Sequence, residues 1–135
     1  MRWIVRHAPE EIYDTKTDPE RFTFREVLAH MVDWEPITLS RMRQAKEQPG
    51  STLVAYDEVQ RAIDFNYTAT NPLEEVEKWA ALRTATVKYL EEEAPGSWDL
   101  SVLHPERGKV TLYDLANMEA CHDIYHIEQL LEFLS

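Results

Sequence analysis

The chain has little cysteine, little glycine and no long apolar run, and each shortage excludes a class of protein. One cysteine in 135 residues rules out an internal disulfide framework. Three glycines are few for a fold of many strands and turns, and the long stretches between breakers favour helices. No stretch reaches the roughly 20 apolar residues of a membrane span. We therefore expect an all-α fold, with a single domain over residues 1–135 that buries its own core.

Positive charge is also scarce. The chain has 14 lysines and arginines against 25 acidic residues, which gives a formal net charge of −11. Such a surface repels nucleic-acid phosphates and anionic membranes, so neither is an expected partner. The first residues show no signal-peptide pattern, and a cytoplasmic protein is the simplest expectation.

Three long helices have clear start signals. Thr23 with Glu26 and Thr111 with Asp114 have the spacing of capping boxes. Asn71 stands before a proline at the first helical position. Glycine or proline follows the first two predicted helices and limits their length. The predicted long helices are Phe24–Glu47, Pro72–Glu93 and Leu112–Phe133.

The connecting segments are less regular. The segment Ser51–Ala69 predicts a short helix near Asp57–Asp64, and Ser97–Val110 is expected to be a loop. Met1–Asp14 is expected to form either one short helix or two fragments divided at Pro9. Pro36 is expected to kink the first long helix or to break its hydrogen bonding locally.

Two histidines interrupt the apolar face of the last predicted helix. His122 and His126 are one turn apart, so both side chains lie on one face. Leucines continue the same face at 112, 115 and 130, which predicts that it points into the core. Two neighbouring imidazoles are costly to charge there, but both can bind one metal through neutral nitrogens.

His30 adds a third imidazole from another helix. It shares a helical face with Val27, Trp34 and Ile37, so it is also predicted to point inward. Three imidazoles with one or two open positions are typical of a catalytic or substrate-binding metal site. The alternative is that the three histidines bind nothing and form a hydrogen-bonded cluster in the core.

Two other metal motifs fit less well. The run H-D-I-Y-H has the histidine spacing of the zincin H-E-x-x-H, but Asp123 replaces the glutamate and little chain follows for a further ligand. Glu119 and His122 fit the E-x-x-H of di-iron bundles, but the second copy that such a site needs is missing.

Other residues near the histidines have candidate roles in a pocket. Asp33 and Asp123 can each accept the second ring N–H of a ligand histidine, although a solvated acid is the simpler interpretation of Asp123. Glu119 is a candidate acceptor beside the ligands or an occasional fourth ligand. Gln129 is a candidate hydrogen-bonding partner at the pocket floor. Trp34 and Tyr125 are candidate pocket walls, or ordinary core aromatics.

Three further residues have competing interpretations. Arg83 lies on the apolar line of its helix, where it either binds an anionic substrate group or pairs with one of the many acids. Cys121 is interpreted as a small core residue and not as a ligand. His104 is expected in a loop near the open end of the site.

The motifs L-A-H-M-V-D-W-E, G-K-V-T-L-Y-D-L and M-E-A-C-H-D-I-Y-H-I-E-Q resemble the DinB-like superfamily, also called DinB/YfiT-like metalloenzymes. The resemblance covers about Phe22 to the C-terminus. It implies a bacterial protein with an up-down four-helix bundle, here with a shortened first helix and a short extra helix in the middle connection. It also implies a divalent metal on His30, His122 and His126, zinc or nickel before iron.

The resemblance further implies a metal-dependent enzyme that acts on a small molecule. Transfer to or from a low-molecular-weight thiol co-substrate is the leading reaction class, and hydrolysis is the second. The opposing hypothesis is a non-catalytic bundle that holds a metal or ligand without turnover. Because the first helix is short, we also expect a homodimer that covers the exposed bundle face.

Overall fold

The computed structural model describes residues 1–135 and is built mainly from helices. The central helix α2 (Phe24–Glu47) packs against both α4 (Pro72–Glu92) and α5 (Leu112–Glu132), and the short α1 (Arg2–His7) packs on α4. No helix is long and apolar enough to cross a membrane. The helices are α1 Arg2–His7, α2 Phe24–Glu47, α3 Glu58–Asp64, α4 Pro72–Glu92 and α5 Leu112–Glu132, and the strands are β1 Ser101–His104 and β2 Gly108–Thr111.

The predicted helix starts are confirmed. The capping boxes at Thr23 and Thr111 both form, and Asn71 accepts a hydrogen bond from the backbone of Leu73. Each cap satisfies backbone N–H groups that a helix start otherwise leaves unpaired. The N-terminal segment takes the second expected form, because Pro9 separates α1 from a 3-10 turn at Glu10–Ile12.

The all-α prediction is only approximate, because the segment Ser97–Val110 contains a hairpin and not just a loop. Strands β1 and β2 pair antiparallel, with Val102 opposite Val110. Both valines are buried, which gives the hairpin an apolar face toward the core. Gly108 has φ +75°, a conformation that favours glycine where the chain turns back into β2.

Helix α2 continues through Pro36, which is exposed. The helix therefore runs through this residue as predicted, and the expected local loss of a backbone hydrogen bond follows because proline has no N–H. The ring of an exposed proline points away from the packed face, so the helix bears the loss of one backbone hydrogen bond without ending.

The core has two apolar clusters with a polar layer between them. The first cluster contains Phe24 and Leu28 from the start of α2 and Leu130 from the end of α5. The second contains Met42 from the end of α2 and Leu115 from the start of α5. The buried polar residues of the layer between them are His30, Glu35, Thr38, Thr86, Glu119, His126 and Gln129. Because buried polar groups need partners, this layer is where a functional site is expected.

Candidate metal site

The three inward histidines meet in the polar layer. His122 Nε2 lies 3.1 Å from His30 Nε2 and 3.0 Å from His126 Nε2. One ring comes from α2 and two come from successive turns of α5, so their meeting depends on how these helices pack. His30 and His126 are buried, and His122 is half-buried. The tertiary structure therefore brings together three imidazole nitrogens that are up to 96 positions apart in the sequence.

The three nitrogens do not satisfy one another as hydrogen-bonding partners. A ring nitrogen carries either one proton or one lone pair, so His122 Nε2 has at most one proton for its two neighbours. A cation, in contrast, accepts the lone pairs of all three nitrogens at once. The geometry thus favours a metal ligand set over the alternative of a hydrogen-bonded core cluster.

Gln129 orients one of the rings. Its side-chain oxygen Oε1 lies 2.8 Å from His126 Nδ1. The ring donates its Nδ1 proton to this oxygen, which leaves the lone pair of Nε2 free to point at the other two histidines. Gln129 follows His126 by one turn, so the same helix supplies both the ring and the group that orients it.

The predicted hydrogen bonds from the other two histidine rings to Asp33 and Asp123 do not form. His30 Nδ1 and His122 Nδ1 are buried without a hydrogen-bonding partner. Asp33 instead accepts hydrogen bonds from Arg61 and Tyr67. Asp123 points to Arg83 on α4, because it is next to His122 in the helix and is rotated about 100° from it.

Burial keeps the imidazoles neutral. Removal from water, reinforced by the neighbouring imidazoles, lowers the pKa of His30 to about 3 and that of His122 to about 4. Burial also lowers the pKa of His126, although its hydrogen bond to Gln129 opposes the shift. A neutral imidazole has the free lone pair that a metal needs, so the rings are ready to bind near neutral pH.

A buried ion cluster lies beside the histidines. Arg83 of α4 contacts three carboxyl groups, with Nε 2.7 Å from Glu35 Oε1, Nη2 2.9 Å from Glu119 Oε1 and Nη1 2.5 Å from Asp123 Oδ2. Of the two interpretations of Arg83, the structure shows pairing with acids. Asp123 is therefore not the solvated acid that the sequence favoured, since only 16% of its side chain is exposed.

The cluster keeps a proton on one carboxyl group. Burial, followed by the hydrogen bond and negative charge of Glu35, raises the pKa of Glu119 to about 8. Burial works in the same direction on Glu35, but its contacts to Arg83, Glu119 and Thr86 outweigh it and lower the pKa. With Glu119 protonated, two carboxylates face one guanidinium. This excess of negative charge beside neutral imidazoles favours a bound cation.

The nitrogen spacing suits a divalent metal. Three nitrogens bound at 2.0–2.1 Å lie about 3.3 Å apart around a tetrahedral ion and about 2.9 Å apart on one face of an octahedral ion. The two Nε2 separations of 3.0 Å and 3.1 Å fall between these values. The donor set therefore fits a first-row divalent metal, and the spacing does not select zinc, nickel or iron.

A cleft of about 640 Å³ opens beside the site. Of the three histidines, His122 lines this cleft, whereas His30 and His126 lie behind it. Trp34 and Tyr125 form walls near His122, and Glu119 reaches the same space. A metal on the three nitrogens would thus lie beside a volume large enough for a small molecule.

Comparison with known proteins identifies the family. The sequence pattern of the DinB superfamily matches residues 1–130. The chain belongs to the DinB superfamily. No curated protein sequence gives a significant match.

One solved structure supports the fold of this DinB-superfamily chain. YfiT from Bacillus subtilis superposes with a TM-score of 0.89, at 17% sequence identity, over 98% of this chain and 76% of its own. That protein is described as "a probable metal-dependent hydrolase with an unusual four-helix bundle topology". At this identity the likeness establishes a shared four-helix-bundle fold.

The structure also tests the predictions for Cys121 and His104, two residues near the histidines of this DinB-superfamily chain. Cys121 was expected in the core, but it is exposed and lines the cleft, because no helix covers this face of α5. His104 is the last residue of strand β1 and not part of a loop as predicted; it lines the cleft, and its Nδ1 accepts hydrogen bonds from the backbone of Glu106 and Arg107. Neither residue is among the three converging nitrogens.

Two residues of the site, Glu35 and Arg41, were not predicted from the sequence. Glu35 follows Met31 and precedes Thr38 and Met42 on one buried line of α2, and this spacing was a readable signal. Arg41 lies in the cleft on the face of α2 that also carries His30 and Trp34. Helical spacing alone did not predict that the Arg41 side chain lies in the cleft, because many arginines at such positions extend into water.

Proposed function

We propose that this DinB-superfamily chain is a divalent-metal-dependent enzyme that hydrolyses a small molecule. The observation that carries the proposal is the convergence of three neutral imidazole nitrogens, with His122 at the wall of a cleft. YfiT, which has the same fold, is described as a probable metal-dependent hydrolase, and this supports the choice of reaction. A divalent ion bound here supplies Lewis acidity and a place where water loses its proton near neutral pH.

Some residues of the site would hold the metal in place, and others border the space where a substrate would bind. His30 and His126 are buried, so packing fixes their rings and little freedom is lost when they bind. Gln129 holds the tautomer of His126. His122 is the one of the three that lines the cleft, so the ligand set borders the substrate space. Three protein ligands leave room for further ligands, as in catalytic sites.

Glu119 and the cleft walls shape what enters. The Glu119 side chain is buried at the cleft floor and is held by Arg83, so it borders the substrate space without joining the three nitrogens. Trp34 and Tyr125 offer apolar surface near His122. A substrate with an apolar or aromatic portion fits these walls.

Thiol transfer is the second candidate reaction, and it rests on the family resemblance. Imidazole-bound divalent metals also lower the pKa of thiols, and the cleft volume admits a thiol together with a small electrophile. Hydrolysis needs only water, whereas transfer needs the added thiol. Activity toward an activated ester such as p-nitrophenyl acetate, with and without a low-molecular-weight thiol, therefore separates the two reactions.

The decisive experiment measures metal content by elemental mass spectrometry on protein purified without a histidine tag. We expect about one divalent metal per chain, lost in His122→Ala and kept in His104→Ala, which removes a cleft histidine outside the ligand set. Absence of metal in the wild-type protein, even after incubation with zinc and nickel, would refute the proposal. Bound metal without turnover of esters or thiol substrates would instead support the non-catalytic alternative.

The expected homodimer stays a prediction. The short α1 covers part of α4 and leaves Trp3 exposed, which is consistent with a further contact at this end of the bundle. Light scattering at micromolar concentration tests it, and a monomer mass would exclude it.

A further inference from the structure

Arg41 differs from the other arginines of the chain in its electrostatic partners. The chain has nine arginines, and seven of them form ion pairs with carboxylates. The two without such a pair are Arg41 and Arg107, and Arg107 is exposed to water. Arg41 is half-buried, and burial lowers the pKa of its guanidinium. A half-buried cation without an ion pair is unusual in a chain with 25 acidic residues.

The guanidinium is held in place by aromatic rings and one carbonyl. Its central carbon lies 5.5 Å from the Trp34 ring centroid and 5.7 Å from that of Tyr56. Its Nη2 donates to the Val54 carbonyl at 2.9 Å, whereas Nε is buried without a partner. These contacts fix the plane of the group and leave Nη1, which makes no hydrogen bond and is not buried like Nε, as the nitrogen that a ligand can contact.

Arg41 shares a cleft with the three-histidine site. Both Arg41 and His122 line it, and Trp34 lies between them. The Trp34 ring centroid is 5.5 Å from the Arg41 guanidinium carbon and 6.4 Å from the His122 ring centroid, so Arg41 and His122 are at most about 12 Å apart. A small molecule can therefore contact both ends of the cleft at once.

The neighbouring acids indicate which anion fits. Glu58, Glu106 and Asp114 also line the cleft, and none of them pairs with Arg41. Three carboxyl groups along the same cleft repel a dianion such as a phosphate monoester more strongly than a monoanion. A carboxylate carries a single charge and matches the planar donor edge of arginine.

We propose that Arg41 binds a carboxylate of the substrate and thereby directs the rest of the molecule toward the three-histidine site. The inference that the rest of the molecule reacts at the three-histidine site rests on the proposed function. The inference that Arg41 binds a carboxylate rests on Arg41 and its surroundings alone. The substrate class is thus a small monocarboxylic acid with an apolar or aromatic portion that contacts Trp34 and Tyr56. The separation of its carboxylate and its reacting group is set by the distance between Arg41 and His122, which the Trp34 contacts limit to about 12 Å.

The test compares 4-phenylbutanoate with its uncharged analogue 4-phenylbutanamide on the full-length protein, before and after treatment with a chelator. NMR of the arginine side-chain N–H groups reports binding at Arg41, and titration gives the dissociation constants. We expect the Arg41 Nε–H signal to move with the acid and not with the amide. We also expect the acid to bind about tenfold more tightly, with or without chelator.

Substitutions of Arg41 and Arg107 test whether the preference for the acid depends on Arg41. Arg41→Gln should remove the preference for the acid, and Arg41→Lys should retain part of it because the charge remains. Arg107→Gln is the matched control, since it removes the other unpaired arginine of the same cleft and should leave the preference unchanged. The wild-type NMR result stands by itself if Arg41→Gln does not fold.

The proposal would be overturned by equal binding of acid and amide, by a preference that survives in Arg41→Gln, or by a preference lost in Arg107→Gln. A preference that disappears on chelation with no movement of the Arg41 signal would place the carboxylate on the metal, which also contradicts the proposal. If the acid binds at Arg41 but no metal is found, the proposed enzyme fails and the carboxylate site remains.

Discussion

Replacing Arg83 by methionine should destabilise the protein more than the loss of any other ion pair. Methionine preserves much of the buried length of the side chain but removes the charge that three carboxyl groups share. Glu35 is the most affected of them, because its side chain is only 1% exposed and has no water to replace the guanidinium. The variant therefore leaves a buried carboxyl group without a compensating charge.

The expected loss follows from the burial of the pair. Removing one partner of a buried ion pair typically costs about 3–5 kcal/mol. For a chain of this length, a loss of that size lowers Tm by about 10–20 °C. Urea denaturation followed by circular dichroism gives the free energy of unfolding, and an unchanged m-value would show that the unfolded state is not altered.

Arg2→Met is the matched control. Arg2 donates to Glu77 through two nitrogens, so the pairing geometry resembles that of Arg83 with Glu35. Both of these side chains are about half exposed, and water replaces the lost contact. We expect its free energy of unfolding to equal that of the wild-type protein within error. An Arg83→Met loss no larger than that of Arg2→Met would refute the role assigned to burial.

The deficit of Arg83→Met should also depend on pH. In the wild-type protein the folded pKa of Glu35 lies below its usual value of 4.5, so its contribution is present above pH 4.5 and is lost as the pH falls. Without Arg83, burial raises the folded pKa of Glu35, and the variant loses stability as the pH rises. The difference between the two proteins should therefore be larger at pH 7 than at pH 4, and it should shrink further as the pH falls. A deficit that does not change with pH would contradict this account.

Three further changes have defined expectations. Gln129→Leu should weaken zinc binding about 10- to 100-fold in a competition titration, because His126 loses the acceptor that holds its tautomer. Pro36→Ala should raise the free energy of unfolding by about 1–3 kcal/mol, since it restores a hydrogen bond on the exposed face of α2. Thr23→Ala should lower it by about 1 kcal/mol, because the capping box of α2 is lost. Urea denaturation measures both stability changes.

One control variant serves the zinc-binding prediction, and a second serves the two stability predictions. Gln44→Leu removes a glutamine that bonds Ser51 and Thr52 away from the histidines, so zinc affinity should not change. Thr68→Ala removes an exposed threonine outside any helix cap and should leave stability unchanged. Wild-type zinc affinity in Gln129→Leu, a loss of stability in Pro36→Ala, or no loss in Thr23→Ala would each contradict the corresponding argument.

The helices were predictable because their signals are local. The caps at Thr23, Asn71 and Thr111 act on backbone groups within three residues, so the first residues of α2, α4 and α5 follow from short stretches of sequence. The hairpin was missed because its information is not local. Val102 and Val110 are eight positions apart. Their pairing stabilises the hairpin only when Met42 and Leu112 cover its apolar side.

The errors at the site have a similar cause. Cys121 lies on a face of α5 that periodicity cannot assign to core or solvent without knowledge of the neighbouring helices. Asp123 looked solvated because its partner Arg83 is 40 positions away on another helix. Glu35 fits a buried line, but a carboxyl group is costly there until Arg83 and Thr86 are known to reach it.

By itself, the sequence determined where the long helices begin and that His30, His122 and His126 occupy inward faces. Both follow from interactions within a few turns of one helix. The tertiary structure alone decided that the three Nε2 atoms converge and that Arg83 holds three acids. It also decided that Arg41 has no acidic partner. These features depend on the relative packing of α2, α4 and α5, which joins residues from distant parts of the chain, and no local pattern specifies such distances.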